Sequence, residues 1–131
     1  MWFLDSSAIV KLVVEEAESE MLRQFLSGST FVASEIARTE VLRAVARRDP
    51  NRLELAREIL RAAHSLAVTP EALDVAAHLP PPTLRSLDAI HLASALMLGN
   101  ELQAFVAYDE RLVAAASALG MPVAAPGWGS R

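Results

Sequence analysis

The stretch Met1-Trp2-Phe3-Leu4-Asp5-Ser6-Ser7-Ala8-Ile9-Val10-Lys11 opens with an apolar run, stops at one carboxylate, passes two hydroxyl residues and resumes an apolar run. Apolar residues up to an acid, with small polar residues after it, suit a buried strand that hands over to a helix. Ser6 or Ser7 starts that helix, which is predicted to reach Val14. In open α/β sheets, ligands bind in the crevice beyond the carboxyl ends of the strands. Asp5 is therefore expected at such a mouth.

Working outward, the chain alternates short β-rich runs with helical patterns. Glu15-Glu16-Ala17-Glu18-Ser19-Glu20 opens a second helix with acids where the helix dipole favours them, and Ser27-Gly28-Ser29 closes it. Thr30–Ala33 reads as a strand, and Ser34 as the cap of a helix over Glu35–Arg48 that Asp49-Pro50 ends. A further helix is predicted over Asn51–His64, a brief strand at Leu66–Val68, and a helix from Thr69-Pro70 to Leu79, where Pro80-Pro81-Pro82 stops it. Ser86 is expected to cap a helix to Leu98. Gln103–Ala107 reads as a strand, Glu110–Leu119 as a helix and Pro122–Ala124 as an edge strand. Alternation of this kind means a parallel sheet with helices on both faces. The expected fold is one α/β domain over residues 1–125, an α/β/α sandwich with four to five mainly parallel strands, and a flexible tail over 126–131.

Composition narrows the function. The chain of 131 residues has no cysteine, which excludes disulfides, thiolate metal sites and cysteine nucleophiles and fits a cytoplasmic protein. No basic leader precedes the first apolar residues, and no apolar run approaches the roughly 20 residues that span a bilayer. No membrane is therefore expected among its partners. A net charge of −4 argues against a protein that simply coats nucleic acid, although bound divalent cations reverse the charge of an acidic site.

Four acids stand out. Asp109 repeats the setting of Asp5, after an apolar strand and before a helix. Each alone reads equally as a helix cap; two acids at two strand ends can also face one crevice. Asp88 begins a helix that is apolar nearly all round, with His91 and Ser94 its only other polar side chains after the cap. A buried carboxylate is costly unless it is paired, hydrogen-bonded or bound to a cation, so Asp88 is either held by the helix N-terminus or a ligand. Glu40 lies one turn from Ile36 and from Ala44, at the edge of the apolar face of its helix, where it either pairs with Arg43 or joins the other acids. Carboxylates without thiols suit hard cations such as Mg²⁺ or Mn²⁺.

Leu4-Asp5-Ser6-Ser7-Ala8, Glu40 in Glu-Val-Leu-Arg, Asp88 in Leu-Asp-Ala-Ile-His-Leu-Ala and Asp109 in Tyr-Asp-Glu-Arg-Leu together resemble the PIN domain, and more closely the VapC-type toxins of bacterial toxin–antitoxin pairs. The resemblance runs from Met1 to about Val123. It implies an α/β/α fold and a Mg²⁺- or Mn²⁺-dependent endoribonuclease acting on tRNA or rRNA. It also implies a homodimer held inactive by a small VapB-type antitoxin. Asp5, Glu40, Asp88 and Asp109 fall on the acidic cluster of the family, as metal ligands and catalytic groups. Ser7 falls on a small polar position beside it, and His91 where a supporting rather than a ligating role is expected.

Arg38, Arg43, Arg47, Arg48, Arg52, Arg57 and Arg61 make the segment 35–61 locally basic. Helix angle places Arg43 and Arg47 near Glu40, where they either hold phosphates or belong to a solvated face of i,i+4 pairs. With few exposed aromatics, recognition of RNA by shape and backbone is expected rather than by stacked bases. A haloacid-dehalogenase-type phosphatase would want an acid where Ser7 stands, and a response-regulator receiver wants an early acid pair and a late lysine, whereas Lys11 is the only lysine. The remaining alternatives are a catalytically silent PIN-like binding module, a PIN nuclease outside a toxin–antitoxin pair, and DNA as substrate.

Overall fold

The structure, a computed structural model, describes residues 1–129. Five strands, β1 (Trp2–Leu4), β2 (Phe31–Ser34), β3 (His64–Leu66), β4 (Ala104–Val106) and β5 (Val123–Ala124), form one sheet in the order β3-β2-β1-β4-β5. Every neighbouring pair is parallel. Helices α1 (Ser6–Val13), α2 (Ser19–Leu26), α3 (Ala37–Arg48), α4 (Leu53–Ala62), α5 (Pro70–His78), α6 (Ser86–Leu96) and α7 (Glu110–Ala118) make the crossovers.

Strand alternation assigns the faces. Leu4, Phe31, Ala33 and Val106 join the core under α1 to α4, whereas Phe3, Val32, Phe105 and Ala107 join the core under α6 and α7. Phe3 and Phe105 stack at 5.5 Å on the second face, and α5 packs on α6 through Ala76, Ala89 and Ala93. The expected three-layer sandwich is the observed one. From β1 the chain winds to β2 and β3 on one side, then jumps back to β4 and winds to β5 on the other. The winding therefore reverses between β1 and β4, and at such a point the loops beyond the strand ends part and leave a crevice.

Several boundaries differ from the sequence expectation. Ser34 does not cap α3: it completes β2, and the helix starts after Ile36 without a side-chain cap. Ser86 is the first residue of α6, not its cap, which is Arg85. The acids Glu15–Glu18 precede α2, which begins at Ser19 and closes through Ser27 in the left-handed region and Gly28. Strand β3 sits two residues earlier than predicted, and α4 ends at Ala62, because His64, Ser65 and Leu66 are the residues in register with Val32, Ala33 and Ser34. Glu35, read as part of a helix, instead binds the end of this edge strand: its N–H donates to the Leu66 carbonyl and its Oε1 accepts from the Val68 N–H, both at 2.8 Å. Helix α6 is less enclosed than its composition suggests, since Leu87 and Met97 are exposed. Of the expected tail, residues 126–129 form a turn against the domain: the Tyr108 hydroxyl donates to the Pro126 carbonyl at 2.8 Å and Trp128 meets the Tyr108 ring edge-on. Residues 130–131 lie outside the described residues.

Candidate active site

Backbone pairing of β1 with β4 brings the two helix-start acids, Asp5 and Asp109, to the same edge of the sheet. Leu4 is in register with Val106, and the Asp5 N–H extends that ladder by donating to the Val106 carbonyl at 3.2 Å. Asp5 and Asp109 then stand at the start of α1 and α7, flanking the point where the winding reverses. Both cap their helices. Asp5 Oδ1 accepts from the Ala8 N–H at 2.9 Å and Asp109 Oδ1 from the Leu112 N–H at 3.0 Å. The cap is thus Asp5 itself and not Ser6 or Ser7, which lie in the first turn. Capping uses one oxygen of each carboxylate. Asp5 Oδ2 has only the Ser7 hydroxyl, at 3.0 Å, and Asp109 Oδ2 has no hydrogen bond within the described residues.

Glu40 comes from α3 and His91 from α6, and they meet Ser6 of α1 across the carboxyl edge of the sheet. Ser6 Oγ donates to Glu40 Oε1 at 2.7 Å, and His91 Nε2 lies 2.6 Å from the same oxygen and 3.1 Å from Ser6 Oγ. His91 is 1% exposed, and its Nδ1 has no partner. A buried N–H there would be unsatisfied, so the proton belongs on Nε2, pointing at Glu40. Both bonds fall on Oε1 and leave Glu40 Oε2 open. Asp88, half-buried in the first turn of α6, receives no side-chain cap bond. Asp88 thus stands in the first turn, where the helix dipole favours an acid, without a side-chain hydrogen bond among the described residues.

The electrostatics follow from burial and crowding. Asp5 is 4% exposed, and burial pushes its carboxyl up from the ordinary 3.8 to about 6, with the negative charge of Asp88 adding to the effect. Asp88 is pushed up by partial burial and then by Asp109. For Glu40, partial burial pulls upward, but the bonds from His91 and Ser6 outweigh it and hold the carboxyl below its usual range. No lysine or arginine pairs with Asp5, Asp88 or Asp109 among the described residues. The sheet edge therefore concentrates negative charge that Arg85, acting on Asp88 without an ion pair, only partly offsets.

A hard divalent cation fits that donor set, which is all oxygen. Among the described residues no three His, Asp or Glu side chains form a ready metal cage; Mg²⁺ does not require one, because it keeps several waters and takes only one or two carboxylates directly.

Two clefts meet at Asp109 and Tyr108. One, of about 380 Å³, is lined by Thr83, Leu84, Arg85, Asp88, Glu110 and Arg111 as well. The other, of about 400 Å³, is lined by Ser7, Lys11, Glu16, Arg47 and Arg48 among others. Arg47 lines this second cleft, whereas Arg43 is exposed on α3 and does not line it. Reading the sequence missed Arg85 and Arg111. They sit three and two residues from Asp88 and Asp109, and that closeness in sequence was the available signal.

A family model of the PIN domain matches residues 2–118. Ribonuclease VapC46 of Mycobacterium tuberculosis is 46% identical, over 95% of this chain and 96% of its own. Ribonuclease VapC47 of the same species is 40% identical, over 97% and 98% respectively. Among solved structures, M. tuberculosis VapC20, described as a sarcin–ricin loop cleaving toxin, superposes with a TM-score of 0.74 at 19% identity, covering 96% of this chain and 100% of that one. FitAcB of Neisseria gonorrhoeae gives 0.72 at 17% identity, covering 98% and 99%. At those identities the last two speak for the fold alone.

Proposed function

This chain belongs to the PIN-domain family and, within it, to the VapC-type ribonucleases; we propose that it is the RNA-cleaving toxin of a toxin–antitoxin pair, acting through Asp5, Glu40, Asp88 and Asp109 with Mg²⁺ or Mn²⁺. One observation carries the assignment of the site. Carboxylates from four separate segments gather where the winding of the sheet reverses, and among the described residues no lysine or arginine forms an ion pair with Asp5, Asp88 or Asp109.

Asp5, Asp88 and Asp109 would hold the ion. Such an ion supplies Lewis-acid stabilisation of the phosphoryl charge and a more acidic attacking water. Glu40 is held ionised, with Oε1 fixed by Ser6 and His91, so that Oε2 would be the oxygen left to accept a proton. His91 touches no substrate in this reading; it orients Glu40, and Ser7 orients Asp5. Arg47, which lines the cleft and forms no ion pair among the described residues, would supply positive charge for the RNA backbone. The substrate is tRNA or rRNA, the inhibitor a cognate VapB-type antitoxin, the working unit a homodimer, and the compartment the cytoplasm. No helix among the described residues is long and apolar enough to cross a membrane.

The test is RNA cleavage with Mg²⁺ or Mn²⁺ by the wild type and by Asp5→Asn, which keeps an oxygen acceptor for the Ala8 N–H but loses the charge. Cleavage is expected to fall at least about a thousandfold, with circular dichroism unchanged. Full activity in the variant would overturn the site. Calorimetric titration with Mn²⁺ separates the enzyme from a silent binding module, for which no carboxylate-dependent binding is expected.

A further inference from the structure

The acid cleft does not end at Arg111. Thr83, Leu84 and Arg111, which line it, also line a larger groove of about 670 Å³ between the proline turn and α7, together with Pro80, Pro81, Ala114, Ala115 and Ala118. The character of the surface changes along the way: carboxylates and Arg85 at one end, Arg111 at the junction, methyl groups and proline rings beyond. Arg85 and Arg111 have no ion pair among the described residues. Arg38, Arg43 and Arg47 of α3 likewise form no ion pair among the described residues, whereas Arg23, Arg48, Arg52, Arg57 and Arg61 are engaged by carboxylates.

Resting on the RNA-cleaving reading above, we propose that this groove is a nucleobase subsite: one base of the RNA strand, next to the cleaved bond, lies between Pro80-Pro81-Leu84 and the alanine face of α7 while Arg111 and Arg85 hold its phosphates. The guanidinium fork suits bidentate contact with phosphate oxygens. Proline rings and alanine methyls present flat apolar walls of a kind that accepts either face of any base, and the volume lies within the range of ordinary ligand sites. An apolar protein segment would find the same walls. The base is favoured because the groove shares its junction residues with the acid cleft, so a strand whose phosphate sits at the acids has its neighbouring nucleotide led into it. Shape recognition alone, the expectation from the scarcity of aromatics, is thereby replaced by a slot built of aliphatic side chains.

The experiment measures binding of fluorescently labelled single-stranded RNA to the Asp5→Asn protein by anisotropy, and cleavage mapping by the Asp5-intact protein. Arg111→Ala is expected to weaken binding about tenfold for all sequences alike and to lower the slope of log K against log salt by about 0.7, as for one lost phosphate contact. Ala118→Trp fills the groove from an exposed position of α7. It should remove the penalty, about tenfold in the unfilled protein, for an abasic nucleotide at one position beside the scissile bond, and shift the mapped cleavage sites. Ser117→Trp, exposed on the same helix and outside the groove, controls for a bulky indole and should change neither. An unaltered abasic penalty and cleavage map in Ala118→Trp would overturn the subsite. So would a change confined to self-association or to binding of a protein inhibitor. Retained cleavage in Asp5→Asn would instead overturn the active-site reading, and the two failures are read from different variants.

Discussion

Asp5 does two jobs with one carboxylate. Its Oδ1 ends the strand-to-helix turn by accepting from Ala8, and its charge faces Asp88 and His91 at the sheet edge. Reading the sequence set these roles against each other, yet a carboxylate has two oxygens and capping needs one. The cost of the second role is a buried charge. Burial raises the Asp5 pKa from 3.8 to about 6, so the folded protein binds this proton more tightly than the unfolded chain does. The resulting contribution to stability is complete below the unfolded value and is lost as pH rises through about 6, an effect of about 3 kcal/mol at most. Asp88, also raised, acts in the same direction. Glu40 is lowered, and its contribution disappears only as pH falls through its depressed value, below this window. Without divalent ions, the wild type should therefore melt at a higher temperature at pH 5 than at pH 7.5. Asp5→Asn, with no charge to bury, should show a markedly smaller difference and melt no lower than the wild type at pH 7.5. Scanning calorimetry at the two pH values decides it, and a wild-type midpoint that climbs with pH would contradict the account.

At the scale of elements, the site is held by helix contacts as much as by strand ends. His91 links α6, which packs on one face of the sheet, to α3 and α1 on the other, through Glu40 and Ser6. This explains a buried histidine in an otherwise apolar helix: its polar edge is used at the sheet rim while its ring meets Phe3 edge-on at 6.5 Å. His91→Ala should free Glu40 to turn away, lowering cleavage about 10- to 100-fold, and should cost roughly 2 kcal/mol through the cavity. Packing alone would be restored by His91→Leu. Restoration of rate by His91→Gln but not by His91→Leu, at equal stability, marks the hydrogen bond to Glu40 as the cause; equal rates in the two would refute it. The elements that pattern reading misplaced share one trait. Strand β3 is an exposed edge strand of His64, Ser65 and Leu66, and its identity comes from backbone register with β2 and from the Glu35 side chain that binds its end. Neither contact leaves a periodicity in the local sequence.

For the molecule as a whole, the order β3-β2-β1-β4-β5 makes an acidic mouth in which, among the described residues, Asp5, Asp88 and Asp109 form no ion pair. A divalent ion that binds only the folded state stabilises it by mass action, about 2.7 kcal/mol at a hundredfold excess over its dissociation constant. Mg²⁺ or Mn²⁺ should accordingly raise the melting temperature at pH 7.5 by several degrees, reversibly with EDTA. The rise should be much smaller in Asp5→Asn. An equal rise in both proteins would place the ion elsewhere.

The local sequence determined a great deal here, because strand-end acids, capped helices and apolar runs are encoded by neighbouring residues. Asp5 and Asp109, the alternation of strands and helices, and the polar positions Asp88 and His91 in α6 were all legible from their immediate surroundings. Only the tertiary structure decided that β1 lies beside β4, which makes Asp5 and Asp109 neighbours though they are far apart in the chain. It alone decided that Glu40 faces His91 instead of Arg43, and that Arg85 and Arg111 border the acids while Arg111 also lines an apolar groove. The physical reason is common to all three. Propensity and capping act over a turn of helix or a few residues of strand, whereas the charge and shape of a site depend on which distant segments the sheet order brings to one edge.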